Sequence, residues 1–129
     1  MGISNRVPDM KAAFARKRAA AMREHIARLT NEHDIQVTWI ERADEAGALR
    51  EADGGRDEIL IPPIQSPVIY ATALHEVGHI LGRYQRSPHV LVRHRWAWQW
   101  ARKHALVWTP TMEKFARASL RQAALRERR

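Results

Sequence analysis

His75-Glu76-Val77-Gly78-His79 decides how this chain is read. Two histidines four residues apart lie about one turn from each other on one helix face, so both rings can reach a single cation. The glutamate between them can accept a proton from a water held by that cation. This is the HExxH arrangement, whose usual metal is zinc and whose usual chemistry is hydrolysis of an amide. The arrangement requires a helix, and the flanking residues supply one independently. Ser66-Pro67 breaks the segment before it, Val77, Ile80 and Leu81 are apolar neighbours of the histidines, and Gly82 stands just past the last of them. A helix is therefore expected over 67–81.

Upstream, Glu58 to Ile61 reads as a strand closed by Pro62-Pro63, and Ile35 to Ile40 alternates apolar and polar residues as a half-buried strand does. The acidic stretch between them, 41–57, reads as a connection with a short helical turn around 46–52 and a turn at Asp53-Gly54-Gly55. Pro8-Asp9 opens a helix to about Glu32, with Ala15, Ala19, Met22, Ile26 and Leu29 as its apolar stripe and Lys11, Arg16, Arg23 and Arg28 among its basic faces. Downstream, Ser87-Pro88 precedes a helix over 89–107 that carries Trp96, Trp98 and Trp100. On a helix these indoles fan around the axis and cannot all face one core. One or two are candidates to close the site or form a partner surface, against which packing in a small core is the expected account of at least two. Thr109-Pro110 caps a last helix, 110–126, burying Met112, Phe115 or Ala116, Leu120 and Ala123, with a tail that frays. The expectation is an α+β, mostly helical fold in one domain, 1–129: a helix, two strands, then three helices.

A catalytic zinc needs three protein ligands and an open position. With no cysteine in the chain, the third must be His, Asp, Glu or a backbone oxygen. The pattern HExxHxxGxxH matches at Gly82 but puts Gln85 where the third histidine belongs, which counts against the metzincins and against a family of zinc endoribonucleases. His94 is the preferred ligand. It shares a face of the following helix with Leu91, Trp98, Ala101 and Ala105, so it points inward. His89 and Glu113 are the alternatives, and His104 lies on a neighbouring stripe. Tyr70 and Tyr84 are nearby phenols, but only proximity in sequence suggests either as an oxyanion donor.

The formal net charge is +8. It is unevenly spread, with 35–62 acidic and both flanks basic, which points either to a polyanionic or acidic-protein partner or to solvated helix faces. No signal peptide and no segment of transmembrane length is evident. A cytoplasmic protein with no membrane partner is expected.

The segments ILIPPIQSPVIYATALHEVGHILGR (59–83) and HRWAWQWARKHALVWTPTM (94–112) resemble the compact HExxH peptidases of the ImmA/IrrE-like kind, especially the short forms carried by phages and prophages. Those proteins place after the motif a helix with an E-x-x-A-W/N-x-W/F-A signature whose leading glutamate ligates zinc. Laid on this chain, Ala97-Trp98-Gln99-Trp100-Ala101 matches the tail and the ligand position falls on His94. The change from glutamate to histidine keeps a competent ligand but makes it neutral, leaving the ion more electropositive. The resemblance covers about half the chain. It implies a minimal zincin-like core of gluzincin type: a small edge sheet, the motif helix, and a following helix that supplies the third ligand. It also implies a hydrolase in the host cytoplasm if phage-encoded. One zinc would sit on His75, His79 and His94, with Glu76 the general base on zinc-bound water and a peptide or protein as substrate. The strand at 58–61 is read as a sheet edge, along which an extended peptide would add as another strand. Two rivals stand beside the peptidase reading. One is an inactive zincin-like binding or regulatory module whose basic helices meet nucleic acid or a partner protein. The other is a SprT-like protease of DNA-associated proteins, against which the lack of a separate zinc ribbon counts.

Overall fold

Among residues 9–52 and 55–127, which the computed structural model describes, the chain forms four α-helices and one three-stranded sheet. In order these are α1 (Met10–Glu32), β1 (Ile35–Trp39), β2 (Gly47–Ala52), β3 (Arg56–Ile61), α2 (Pro67–Leu81), α3 (Val90–His104) and α4 (Pro110–Glu127). A short 3-10 turn, Ala43–Glu45, precedes β2. The class is α+β and mostly helical.

Side chains close the N-termini of α1, α2 and α4 as their sequences suggest, whereas α3 has no side-chain cap. Asp9 accepts from the Ala12 amide at 3.3 Å, Ser66 Oγ from Ile69 at 3.2 Å, and Thr109 Oγ1 from Met112 at 3.2 Å. Each bond satisfies an amide that the first helical turn leaves without a partner. α3 stops at His104, before the expected 107, because the chain turns out so that the Leu106 amide can donate to the Tyr70 hydroxyl at 3.0 Å.

The segment expected to make a helical turn, 46–52, is instead mostly strand. β2 pairs antiparallel with β3 and is interrupted between Leu49 and Ala52 by a register shift. Glu51 adopts φ 52°, and its amide is held by Asp57 Oδ1 at 2.8 Å. The composition of this stretch favours helix, but pairing with β3 satisfies its backbone groups and overrides that preference. Of the expected turn at 53–55, Asp53 and Gly54 lie outside the described residues. Gly55 has φ 79°, where a glycine is at home. Residues 128–129 of the expected fraying tail are likewise outside them.

β1 runs parallel to β3, so the sheet order is β1-β3-β2. β3 is thus the central strand. The reading of 58–61 as a sheet edge is corrected: both its sides are occupied, and the edges are β1 and β2. Ile59 and Ile61 of β3 are fully buried against α2, which is itself buried without a break from Tyr70 to Gly78. Ala19, Met22 and Ile26 of α1, Trp98 and Ala101 of α3, and Met112 and Ala116 of α4 complete one continuous core. α1 joins it only from Ala19 onward. Ala15, expected in the buried stripe, is exposed with Met10 and Phe14, because the first turns of α1 extend past the elements they would pack on. No described helix is long and apolar enough to cross a membrane.

One close approach sets the position of α3. A Cβ built on Gly78 would stand 2.5 Å from the Ala97 carbonyl oxygen and 3.0 Å from its Cα. Only a residue without a side chain lets α3 lie this near α2.

Candidate metal centre

That approach brings His94 from α3 onto the two motif histidines of α2. His79 Nε2 lies 3.0 Å from His75 Nε2 and 3.2 Å from His94 Nδ1, and the third edge, His94 Nδ1 to His75 Nε2, is also 3.2 Å. A tetrahedral ion bound at about 2.0–2.1 Å separates its nitrogen ligands by about 3.3 Å, so the triangle is within a few tenths of an ångström of a ligand set. These three residues are grouped so that they could hold a metal ion.

The protonation of the rings suits that role. Gln85 Nε2 donates to the carbonyls of Arg83 at 3.2 Å and Arg93 at 2.9 Å. Its Oε1 is thereby left to accept from His79 Nδ1–H, at 2.9 Å. A neutral imidazole with hydrogen on Nδ1 presents a lone pair at Nε2, so Gln85 fixes the tautomer of His79 that faces the cluster. Burial lowers the pKa of all three rings, first among the causes in each case, and holds His94 at about 4. Neighbouring histidines add to the effect at His75 and His94. Unprotonated nitrogens converging at this spacing repel one another, and a cation among them removes that cost. Behind them Trp98 stacks on His75, with centroids 4.1 Å apart and planes at 26°. His75 Nδ1 and Trp98 Nε1 are buried with no hydrogen-bond partner among the described residues. The donors present fit a divalent ion bound by nitrogen.

Glu76 lines the same cleft, of about 670 Å³, together with the triad, Trp98, Gly47 and Ala48 of β2, and Arg126 of α4. The glutamate is buried, and burial pushes its carboxyl up to about 8.

No family model, curated protein or solved structure matches the chain.

The remaining candidates stand elsewhere. His89 caps α3 through its backbone position alone, and its ring is outside the cluster. Glu113 is taken by Arg102 and Arg117, each at 2.7 Å, and by Trp108 Nε1 at 2.9 Å. The Arg102 hydrogen bond foremost, with the other two, brings its carboxyl down to about 2. Tyr70 is fully buried and turned away, its hydroxyl 2.6 Å from His25 Nδ1 and accepting from Leu106. Tyr84 is exposed and packs on Trp96 outside the cleft. Neither tyrosine faces the triad.

Gln85 is the residue that sequence reasoning missed. In the sequence it stands out only as the place where a third histidine is lacking. The signal available is its spacing, six residues past His79 and just beyond the Gly82 break, which lets a polar side chain fold back onto the second histidine. Gln85→Leu is expected to keep the fold and weaken metal binding about 10–100-fold, the usual cost of losing the partner that orients a ligating histidine. Competition titration against a chromogenic chelator measures this, and an unchanged affinity would remove Gln85 from the site.

Proposed function

We propose that this protein is a zinc-dependent metallopeptidase with a minimal zincin-like core, in which His75, His79 and His94 hold one zinc ion and Glu76 moves the proton. One observation carries the reading: ring nitrogens of three histidines converge in a cleft that also contains the buried carboxyl of Glu76. The resemblance of 59–83 and 94–112 to ImmA/IrrE-like peptidases agrees with it.

When bound, zinc acidifies a coordinated water toward pKa about 7 and polarises a carbonyl. The chain's own residues do the rest. His75 and His79 present Nε2 and His94 presents Nδ1, so the three rings enter from two helices held at a fixed distance by Gly78. Glu76 sits where desolvation raises its proton affinity and a nearby cation would lower it. Its carboxyl can then take a proton from the attacking water and return it to the leaving amine near neutral pH. Trp98 walls the back of the site. β2 is the sheet edge bordering the cleft, so an extended peptide laid along it would run past the histidines.

The test uses zinc-loaded wild type beside Glu76→Gln, incubated with a broad peptide mixture and read by mass spectrometry. Wild type is expected to cleave, and the variant to cleave at least about 100-fold more slowly while binding zinc with equal stoichiometry. A wild type that holds one zinc yet leaves every peptide intact overturns the reading, as does a Glu76→Gln protein of undiminished activity.

A further inference from the structure

Between Glu76 and Glu113 the sequence contains no acidic residue, yet it contains Arg83, Arg86, Arg93, Arg95, Arg102 and Lys103. Arg102 is paired with Glu113, and Arg93 donates to the Ser87 carbonyl. Arg83, Arg86, Arg95 and Lys103 form no ion pair among the described residues. Two of these cations, Arg83 and Lys103, line a groove of about 420 Å³ between the end of α2 and α3, where Trp96, Gln99, Trp100 and His104 also lie. It shares no residue with the metal cleft.

Of the aromatic side chains there, Trp100 packs partly against the core, while Trp96 is half-buried and stands outside it. Trp98 packs inward on His75, whereas Trp96 and Trp100 stand one turn apart on another side of α3. Trp96 lies against Tyr84, with centroids 4.8 Å apart, and Trp100 stacks on His104 at 4.3 Å. Tyr84 is 59% exposed and holds a left-handed backbone, φ 60°. A bulky residue seldom adopts that conformation, and strained positions of this kind cluster at binding sites.

We propose that this groove binds single-stranded nucleic acid, with unpaired bases stacking on Tyr84 and Trp96 and phosphates meeting Arg83 and Lys103. The cations alone would suit any polyanion. The exposed ring of Tyr84 and the half-buried one of Trp96 beside it narrow the choice, because unpaired bases stack on aromatic side chains while an acidic peptide gains nothing comparable and a duplex keeps its bases inside its own stack. The inference does not depend on peptidase activity.

The test is fluorescence anisotropy of zinc-loaded protein with a fluorescein-labelled twenty-nucleotide thymidine strand, a duplex of the same length, and polyglutamate. The strand is expected to bind best, and Trp96→Ala to weaken it about tenfold. Tyr84→Asn, which tolerates the left-handed backbone, removes the second ring without disturbing the turn and is expected to act similarly. Replacing both Arg83 and Lys103 by Ala should reduce the dependence of log affinity on log salt by about 1.4, near 0.7 for each phosphate no longer neutralised. Zinc content and circular dichroism of each variant report whether it has folded, and Tyr84→Asn carries the test if Trp96→Ala does not. Equal binding of duplex or polyglutamate, no binding of the strand at low salt, or full affinity in both aromatic variants overturns the proposal.

Discussion

Purified His94→Ala is expected to retain less than about a tenth of an equivalent of zinc under conditions where wild type retains one. Loss of a partner hydrogen-bonded to a ligating histidine already weakens binding about 10–100-fold, and removal of a ligand costs more. His94 supplies one corner of a triangle whose edges are 3.0–3.2 Å, and the other two corners lie on a single helix. Without it, an ion would be held by two nitrogens from one side only. The variant should fold, because His94 is only half-buried and the packing of α3 rests on Ala97, Trp98 and Ala101. Elemental analysis after gel filtration gives the result directly, with His89→Ala as the variant expected to keep its metal. Full retention by His94→Ala would move the third ligand elsewhere.

Gly78→Ala is expected to lower the melting temperature by roughly 10 °C and to weaken zinc binding at least about tenfold. An alanine replacing glycine inside a helix ordinarily stabilises it by up to about 1 kcal/mol. Here the sign reverses. The added Cβ would meet the Ala97 carbonyl oxygen at 2.5 Å, and that atom belongs to the backbone of α3, which cannot rotate aside. Overpacking of this kind costs about 1–3 kcal/mol, which in a domain of this size is several degrees per kcal/mol. Relief requires α3 to withdraw, and His94 withdraws with it. Calorimetry and a zinc titration on the same sample link the two effects. Ala97→Gly in the same chain should not rescue either, because the obstruction is not the Ala97 side chain. Wild-type stability and affinity in Gly78→Ala would show that the helices are not held together at this point.

The parts of the fold that are legible in the sequence are those written locally. Ser66-Pro67, Thr109-Pro110 and Asp9 announce helix starts through bonds made within one turn, and the spacing of His75, His79 and Gly82 needs only helical periodicity. His94 can be chosen because its inward stripe, Trp98 and Ala101, is also a local pattern. β2 is not legible: Ala48, Leu49, Arg50 and Glu51 are good helix formers, and only the adjacent β3 makes them a strand. The same limit hides the role of Gly78, whose neighbour Ala97 is nineteen residues away. Tyr70 and Gln85 escape a sequence reading for a related reason. A polar residue beside a motif shows where it sits on the chain, not which way its side chain turns once three other elements have closed around it.

The buried hydroxyl of Tyr70 has a bearing on how freely the cleft could change in evolution. It joins His25 of α1 to the Leu106 amide after α3, so it keys α2 against rotation about its own axis. At 3.6 residues per turn, position 70 lies about 140° around the helix from position 75 and about 180° from position 79. The azimuth of the side that carries His75 and His79 is therefore set from behind, by groups that do not line the cleft. Residues along β2 and α4 can be exchanged, and the cleft reshaped for new occupants, while the histidines go on pointing in the same direction.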